Sequence, residues 1–577
     1  MNPKKYCAIF SAMFCILACG TSCVYINEEL GSNFIPTEQR YEIHVTDFPI
    51  TEIGMQPVTQ LSGYSSSRVT IGAILDENRN MSTRSSALTL IPAAKYDFGT
   101  GGQVTRFHLA MGRDTLSYIN EGQKRILQDV NVYALTSPID DTDGYISTVL
   151  EHGDRIADVA TYDGSDSLSF DFRNEWAQEF LGKLQEMETS AYDSVGAFTQ
   201  KVFPGIYMTI DTPVSTGGRI NVFTLTTGAD LNQGTLSGGY ATMTVKNAEF
   251  DGRTVEDTTF MFLYGAQDFS IVQEASDYYS GVTLTPQYAL NMSSSTLDGM
   301  GTDNATEEII VEGGGGLKPV INARGLRDGM LAKLAESNID PADVIINKAT
   351  IVLPFTPTDY ESLDRYPAVL SPSCKLTEKD EDGNEVATYA GITDTSVSTE
   401  NQGEINRSTF IYSPDISYHM QQIMELDEYD ESDEEIVESY REKDIWLLIM
   451  SQEAAEEEQE GMSEYSQNLY YNMYYNQLYN NYYGYGGYGY GYGYGYGGYG
   501  YNNFYDYYAL ASLYSMQNAQ SSSSSSTTTI LDRDRYFFGR LNGPVPASQD
   551  QNQDQNQDIS SQRVPYMKVT YSVRQGR

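Results

Sequence analysis

A chain of 577 residues exceeds what one hydrophobic core usually organises, so two or three domains are expected. Its 79 acidic residues against 36 basic ones give a formal net charge of −43. That charge excludes nucleic acids and anionic lipid headgroups as partners bound through the overall charge. Four of the five cysteines lie within the first 23 residues, so neither a disulfide framework nor a Cys-x-x-Cys metal site is expected.

The first 23 residues have the layout of a bacterial lipoprotein signal peptide. Lys4 and Lys5 precede an uncharged run of 13 residues, which is shorter than the roughly 20 residues needed to span a bilayer. The run ends at Cys19 after Ile-Leu-Ala, and Cys23 follows Gly-Thr-Ser. The apolar residues before Cys19 favour it as the lipidation site, with Cys23 as the alternative. We therefore predict an envelope protein held to a membrane by covalent lipid.

The next part of the chain is predicted to be a tether followed by a β domain. Residues 24–40 are polar and lack periodicity, which indicates a tether. From Tyr41, apolar residues alternate with polar ones in short runs, a pattern typical of antiparallel strands. Residues 41–270 are therefore predicted to form a β-sandwich-like domain. Residues 174–187 within it are expected to form a helix that packs on a sheet, with four side chains on its apolar face: Trp176, Phe180, Leu181 and Leu184.

The polar residues 271–306 are predicted to be a linker to a second β domain, residues 307–577. A run of four glycines, residues 313–316, lies between a predicted strand and a predicted helix, where phosphate-binding loops occur. The G-x-x-x-x-G-K-[ST] pattern is absent, and Lys318 is followed by Pro319. The favoured interpretation is a tight turn where backbones pack closely. The predicted fold class is mainly β, with two antiparallel sandwich-like domains and a few packed helices.

The second domain contains a long low-complexity insertion, residues 451–529. An acidic start leads into Gly-Tyr repeats and then a serine run. Because this composition lacks the aliphatic residues that offset the entropy lost on ordering, a disordered loop is predicted. The alternative is that its exposed tyrosine rings contact glycan or protein.

Motifs for catalysis and metal binding are absent from the sequence. It contains no G-x-S-x-G or H-E-x-x-H, and its histidines are never at metal-ligand spacing: His44, His108, His152 and His419. Asp140, Asp141 and Asp143 resemble a calcium loop, but Ile139 and Leu150 stand where the first and last ligands belong. An ordinary Asp-Gly turn is expected there. We expect no catalytic residue, no metal and no cofactor.

Several motifs together resemble a family of bacterial envelope lipoproteins catalogued as domain of unknown function 4270. They are Glu29–Pro36, Ile71–Asp76, Asp129–Leu135, Phe198–Tyr207, Ile309–Ile321 and Ile346–Leu353. The family's short spacing between its cysteine and the Leu-Gly pair favours Cys23 over Cys19, and the Gly-Tyr insertion departs from the family pattern. The resemblance implies a β-rich lipoprotein of the outer membrane and supplies no activity, substrate or catalytic residue.

Two classes of function remain after these exclusions. The first is a non-enzymatic binding or assembly component at the outer membrane, with a glycan or another envelope protein as its partner. The alternative is a surface polysaccharide hydrolase or a glycan-binding lipoprotein of an uptake system. The lack of an acid/base or nucleophile motif favours the first class. Aromatic side chains that form a flat, exposed platform on a sheet would indicate glycan binding.

Overall fold

A computed structural model gives the structure of the protein. It describes residues 41–65, 68–114, 117, 126–139, 144–225, 227–230, 235–238, 240–267, 269, 287–305, 307–358, 362–379, 385–397, 403–454, 527–531, 536–544 and 563–574. The predicted signal peptide and the predicted tether, residues 24–40, lie outside the described residues. The same holds for Asp140, Asp141 and Asp143 and for most of the predicted insertion.

The strands are numbered here in chain order. Those of the first half are β1 Tyr41–Pro49, β2 Ile53–Pro57, β3 Tyr64–Ser65, β4 Arg68–Leu75, β5 Met81–Leu88, β6 Leu90–Pro92, β7 Thr100–Gly112, β8 Gln128–Leu135, β9 His152–Arg155, β10 Ala160–Tyr162, β11 Ser167–Asp171, β12 Ile206–Ile210, β13 Gly217–Thr224, β14 Thr227–Asp230, β15 Thr235–Gly238, β16 Tyr240–Phe250, β17 Arg253–Tyr264 and β18 Ala289–Ser295. Those of the second half are β19 Glu308–Glu312, β20 Leu317–Ile321, β21 Val344–Pro354, β22 Val369–Lys379, β23 Glu385–Gly391, β24 Ile405–Asn406, β25 Ile411–Tyr412, β26 Ile445–Ala454, β27 Thr527–Leu531, β28 Phe538–Asn542 and β29 Tyr566–Arg574.

The helices lie between these strands. The α-helices are α1 Asn174–Glu186, α2 Val195–Lys201, α3 Ala323–Glu336, α4 Thr393–Val397, α5 Ser417–Met424 and α6 Glu434–Arg441. Short 3₁₀ helices cover Thr189–Tyr192, Asp298–Met300, Pro341–Asp343 and Ser362–Arg365. The protein is mainly β with few helices, and its named strand pairs are antiparallel, as the alternating sequence predicts. Among the described residues, no helix is long and apolar enough to cross a membrane.

The first body consists of two sheets with helix α1. Sheet I has the order β10-β8-β12-β5-β18-β3, with β9 beside β8, β4 beside β5 and β13 beside β4. Sheet II has the order β11-β7-β16-β17-β6. The buried apolar residues of both sheets and of α1 form one continuous core. The helix predicted at 174–187 is confirmed as α1, and its Phe180, Leu181 and Leu184 are buried.

The second body consists of two further sheets with helices α3 and α5. Sheet III has the order β1-β29-β21-β25-β24. Sheet IV has the order β2-β20-β26-β22-β23, with β27 beside β26, while β19 pairs with β28. A second core of buried apolar side chains joins these elements.

The first two strands belong to the second body, which corrects the predicted N-terminal domain of residues 41–270. Strand β1 pairs with β29 along its full length, from Tyr41 opposite Arg574 to Pro49 opposite Tyr566. Strand β2 pairs with β20 in sheet IV. The alternation of apolar residues identifies these segments as strands, but it carries no information about which distant strand each one pairs with.

The second half of the predicted linker, residues 271–306, also differs from the prediction. Strand β18 lies inside sheet I, between β5 and β3. Its buried Asn291 accepts a hydrogen bond from the Thr70 backbone N–H at 3.0 Å and donates one to the Arg68 carbonyl at 3.1 Å. Because its polar groups are hydrogen-bonded within the sheet, β18 is buried despite a serine-rich sequence that reads as linker.

Strand β26 extends into the predicted insertion, and so does β27, a strand that the sequence did not predict; the two pair with each other. Strand β26 continues to Ala454, and β27 begins at Thr527, so the intervening residues are 455–526 rather than 451–529. Ala454 lies opposite Thr527. The insertion therefore leaves and re-enters the sheet at one point, between two adjacent antiparallel strands.

The glycine run forms the contact between the two bodies. Gly313–Gly316 connects β19 to β20, and the carbonyls of Gly314 and Gly316 accept hydrogen bonds from Lys318 Nζ at 2.9 and 2.8 Å. Arg84 Nη2, from sheet I, donates to the Gly313 carbonyl at 3.0 Å. Arg84 and Lys318 are both buried. The interpretation as a tight turn is confirmed. Its carbonyl oxygens accept hydrogen bonds from the ammonium group of Lys318, whereas a phosphate-binding loop presents backbone N–H groups.

The first prediction concerns this contact. Gly314 has a φ of +62°, and a Cβ there would lie 2.8 Å from Arg84 Nη2. Gly101 has nearly the same φ, +63°, and a Cβ there meets no atom within 4 Å. We expect G101A to cost about 1 kcal/mol for backbone strain alone. G314A should cost about 1–3 kcal/mol more, because a buried guanidinium must move from its acceptor. Urea unfolding of both variants measures the difference, and equal losses would contradict the packing described.

The second prediction concerns the insertion. Replacing residues 455–526 by a short turn should leave the melting temperature unchanged or higher, because β26 and β27 are already adjacent at Ala454 and Thr527. The shorter connection lowers the closure cost by about 2 kcal/mol. Thermal unfolding followed by circular dichroism compares the deletion with the full chain. Loss of cooperative melting in the deletion would show that residues 455–526 contribute to the fold.

Candidate functional site

An aromatic cluster of three rings lies on sheet I, on the face turned away from the core. It comprises Tyr133 of β8, His152 of β9 and Tyr207 of β12. Tyr133 lies directly opposite Tyr207, so both side chains project from the same face. Their neighbours Val132, Ile206 and Met208 point into the core of the first body.

The three rings are in mutual contact. The ring centroids of His152 and Tyr207 are 5.1 Å apart with planes 12° apart, a stacked pair. Those of Tyr133 and His152 are 4.1 Å apart, and those of Tyr133 and Tyr207 are 6.5 Å apart. His152 is exposed, and both tyrosines are half-buried. The cluster is therefore an aromatic surface held in place by three hydrogen-bonded strands.

One side of the cluster continues into apolar residues of the same face. In the row of paired residues that crosses the sheet, Tyr207 is followed by Ala87, Leu290 and Tyr64. Ala87 and Leu290 belong to a small cluster of buried apolar residues, and the partly buried Tyr207 packs against this cluster. This packing restricts the Tyr207 side chain and excludes water from one edge of the aromatic cluster.

The other side of the cluster has a polar rim. Arg155 lies opposite Tyr133, and its Nη1 donates to Asn131 Oδ1 at 3.2 Å. Asn131 Nδ2 in turn donates to Asp211 Oδ1 at 2.8 Å. These three planar polar side chains form a connected network beside the rings. Aromatic rings next to oriented hydrogen-bonding groups are the combination found in sites for small polar ligands.

Cys374 and His419 form a second candidate, because a cysteine beside a histidine is the arrangement of a thiol nucleophile with its base. His419 Nε2 lies 4.0 Å from Cys374 Sγ and 2.9 Å from the Lys443 carbonyl oxygen. The carbonyl can only accept, so the Nε2 proton stays on the histidine and this nitrogen is not a base. Burial raises the pKa of the Cys374 thiol to about 12 and lowers the pKa of His419 to about 4. The pair is neutral and packed, not a reactive thiolate.

A third candidate is the surface group of Arg106, His108 and Asp171. His108 Nδ1 donates to Asp171 Oδ1 at 2.7 Å, and Arg106 Nε donates to the same oxygen at 2.9 Å. A carboxylate that orients a histidine is part of a hydrolytic triad. Among the described residues, no serine, threonine or cysteine side chain is hydrogen-bonded to His108. The group therefore explains the orientation of His108 and supplies no nucleophile.

The predicted lipidation sites, Cys19 and Cys23, lie outside the described residues, so each stays a prediction. Within the described part of the chain, no three His, Cys, Asp or Glu side chains come together as a metal site. The aromatic cluster was not predicted as a site. The available signal was the alternation in 128–135 and 206–210, which places Tyr133 and Tyr207 on the polar faces of their strands.

Comparisons with known proteins identify no relative of this chain. No family model matches the chain, and no curated protein and no solved structure matches it. The resemblance to domain of unknown function 4270 therefore stays a prediction.

The third prediction concerns the thiol. In the native chain, alkylation of Cys374 by iodoacetamide at pH 8 should be roughly a thousandfold slower than in urea, because burial keeps the thiol protonated. Mass spectrometry of the peptide that contains Cys374 measures the rate separately from the other cysteines. Rapid alkylation in the native chain would mean that the thiol is accessible and ionised.

Proposed function

We propose that this protein is a lipid-anchored, non-enzymatic component of the bacterial outer membrane that binds a glycan at the aromatic cluster and its polar rim. The single observation that carries the binding role is the contact of Tyr133, His152 and Tyr207 on an exposed sheet face. The anchor rests on the signal-like residues 1–23 and on the resemblance to the envelope lipoprotein family.

A sugar ring has apolar faces formed by C–H groups and hydroxyls around its edge. The three rings, which are stacked or tilted against one another with planes 12–42° apart, offer aromatic surface to such a face. Arg155 offers donors and the exposed Asp211 offers acceptors to the hydroxyls at the edge, while the buried Asn131 joins the two by hydrogen bonds. The strands hold both sets of groups before any ligand arrives, so little conformational entropy is lost on binding.

The state of the other candidates favours a role without catalysis over the hydrolase. The Cys374 thiol is protonated, and His419 directs its Nε2 proton to a carbonyl. His108 is oriented by Asp171 without a bonded hydroxyl in the described part of the chain. Binding is the chemistry that the rings and the rim support directly.

The fourth prediction tests the glycan site. On an array of envelope and host polysaccharides, the protein should bind at least one glycan. Y133A and Y207A should each weaken that binding about tenfold, because each removes one aromatic surface. The matched control is Y418A, which removes an exposed tyrosine from helix α5 and should leave binding unchanged.

Circular dichroism melting of the three variants separates binding from folding. Equal binding by wild type, Y133A and Y207A would exclude the aromatic cluster as the site. Release of reducing sugar from any polysaccharide on the array would contradict the non-enzymatic role and favour the hydrolase.

A further inference from the structure

The outward face of sheet III is unusually apolar for a solvated surface. Tyr41, Ile43 and Val45 alternate along β1 on this face and are 51%, 68% and 63% exposed. Ile345 of β21 is also exposed, and it shares a paired residue, Ser572, with Ile43. The opposite face of the same strands carries buried core residues, including Phe48, Met567 and Tyr571.

Cationic side chains surround these apolar residues. Arg574 lies opposite Tyr41, and Lys348 shares the paired residue Thr570 with Val45. Lys568 lies opposite Asp47, which is the one carboxylate of this face at the paired positions of β1, β29 and β21. Arg574, Lys348 and Lys568 are all exposed. In a chain whose net charge is −43, this face is locally positive.

We propose that this surface, the β1 face, is the part of the protein that lies against the phospholipid surface to which the chain is anchored. Apolar side chains interspersed with Lys and Arg are the pattern of segments that bind the interface of a bilayer. The rest of the acidic surface is repelled by anionic headgroups, which favours the orientation that presents this face. The inference rests on the proposed lipid anchor.

The position of the β1 face in the chain supports the membrane as its occupant. Tyr41 is the first described residue, and the predicted tether of residues 24–40 joins it to the lipidated cysteine. Fully extended, these 17 residues reach at most about 60 Å, and a flexible chain stays much shorter. The predicted tether would therefore enter the fold at Tyr41, the end of β1, beside Arg574 of β29.

A second copy of the chain fits this surface less well. A two-fold symmetric contact places the same patch against itself. Arg574, Lys348 and Lys568 of both copies would then be brought into one contact, with only Asp47 of each copy to offset them at the paired positions of this face, which is repulsive. Phospholipid phosphates supply the opposite charge.

The experiment uses the full lipoprotein in vesicles of phosphatidylethanolamine and phosphatidylglycerol, doped with phosphatidylcholine that carries a nitroxide on its headgroup. V45W places an indole on the β1 face, and V214W places one at a valine that is 94% exposed on the first body. The two native tryptophans, Trp176 and Trp446, are the same in both variants and provide a common background. Fluorescence quenching reports which indole meets the headgroups.

We expect nitroxide quenching of V45W to be about twofold stronger than that of V214W, since only the first lies at the interface. Adding K348E, K568E and R574E to V45W should reduce the quenching to the V214W level, and so should about 1 M salt, where charges are screened beyond about 3 Å. Circular dichroism melting of the charge variant confirms that it is folded.

The remaining outcomes overturn the proposal in distinguishable ways. If the chain floats with the vesicles and incorporates a fatty-acid analogue at Cys19 or Cys23, yet V45W and V214W are quenched equally, the anchor stands and the β1 face is wrong. If neither flotation nor labelling occurs, the anchor fails and the β1 face fails with it. If V45W is protected from acrylamide but not quenched by nitroxide, protein covers the face, and a dimer by light scattering would identify that protein as a second copy.

Discussion

The antiparallel pairing of β1 with β29 joins the first described residues of the chain to the last, and the second body depends on it. With β2 paired to β20, both large sheets of that body take strands from residues 41–57 and from beyond residue 308. The first body, which begins at β3 and ends at β18, is therefore an insertion between β2 and β19. Its two connections to the second body lie close together, and the glycine loop and Arg84 meet beside them. Pairings of such large sequence separation carry a high entropy of closure, so this body is expected to form slowly.

The buried charges at the contact between the bodies have a structural role. Lys318 is surrounded by carbonyl oxygens of its own glycine loop, and Arg84 reaches the same loop from the other body. A buried cation without such oxygens would be strongly destabilising, so the loop conformation and the two side chains stabilise one another. Two small apolar clusters also contain residues of both bodies: Ile146 and Trp446 belong to one, and Ile220 and Tyr536 to the other. Contacts between the two bodies thus join them into one framework for the surfaces proposed to bind ligand and membrane.

Sequence alternation predicted the β-rich fold and helix α1, because burial on one face of a strand or helix leaves a periodic trace in the sequence. It failed where burial did not require apolar residues. Strand β18 was predicted to be part of a linker because its sequence is polar. It can be buried because polar side chains such as Asn291 are hydrogen-bonded inside the sheet. The sequence also did not predict which strands pair, since nothing near Tyr41 in the sequence indicates that it lies opposite Arg574. The aromatic cluster was not predicted for the same reason, because Tyr133 and Tyr207 become neighbours only through the register of β8 and β12. The sequence therefore indicated which segments form strands, but it did not indicate which strands lie side by side.

The pairing of β1 with β29 also determines how the folded part responds to a mechanical load applied at Tyr41. A force applied at Tyr41 in the direction of the strand runs along β1. All nine residue pairs between β1 and β29 lie across that direction, so their hydrogen bonds share the force and must break together rather than one after another. Strand β29 is held in turn by β21 on its other edge. A load along β1 would therefore meet nine residue pairs that resist it in shear, at the point where the described chain begins.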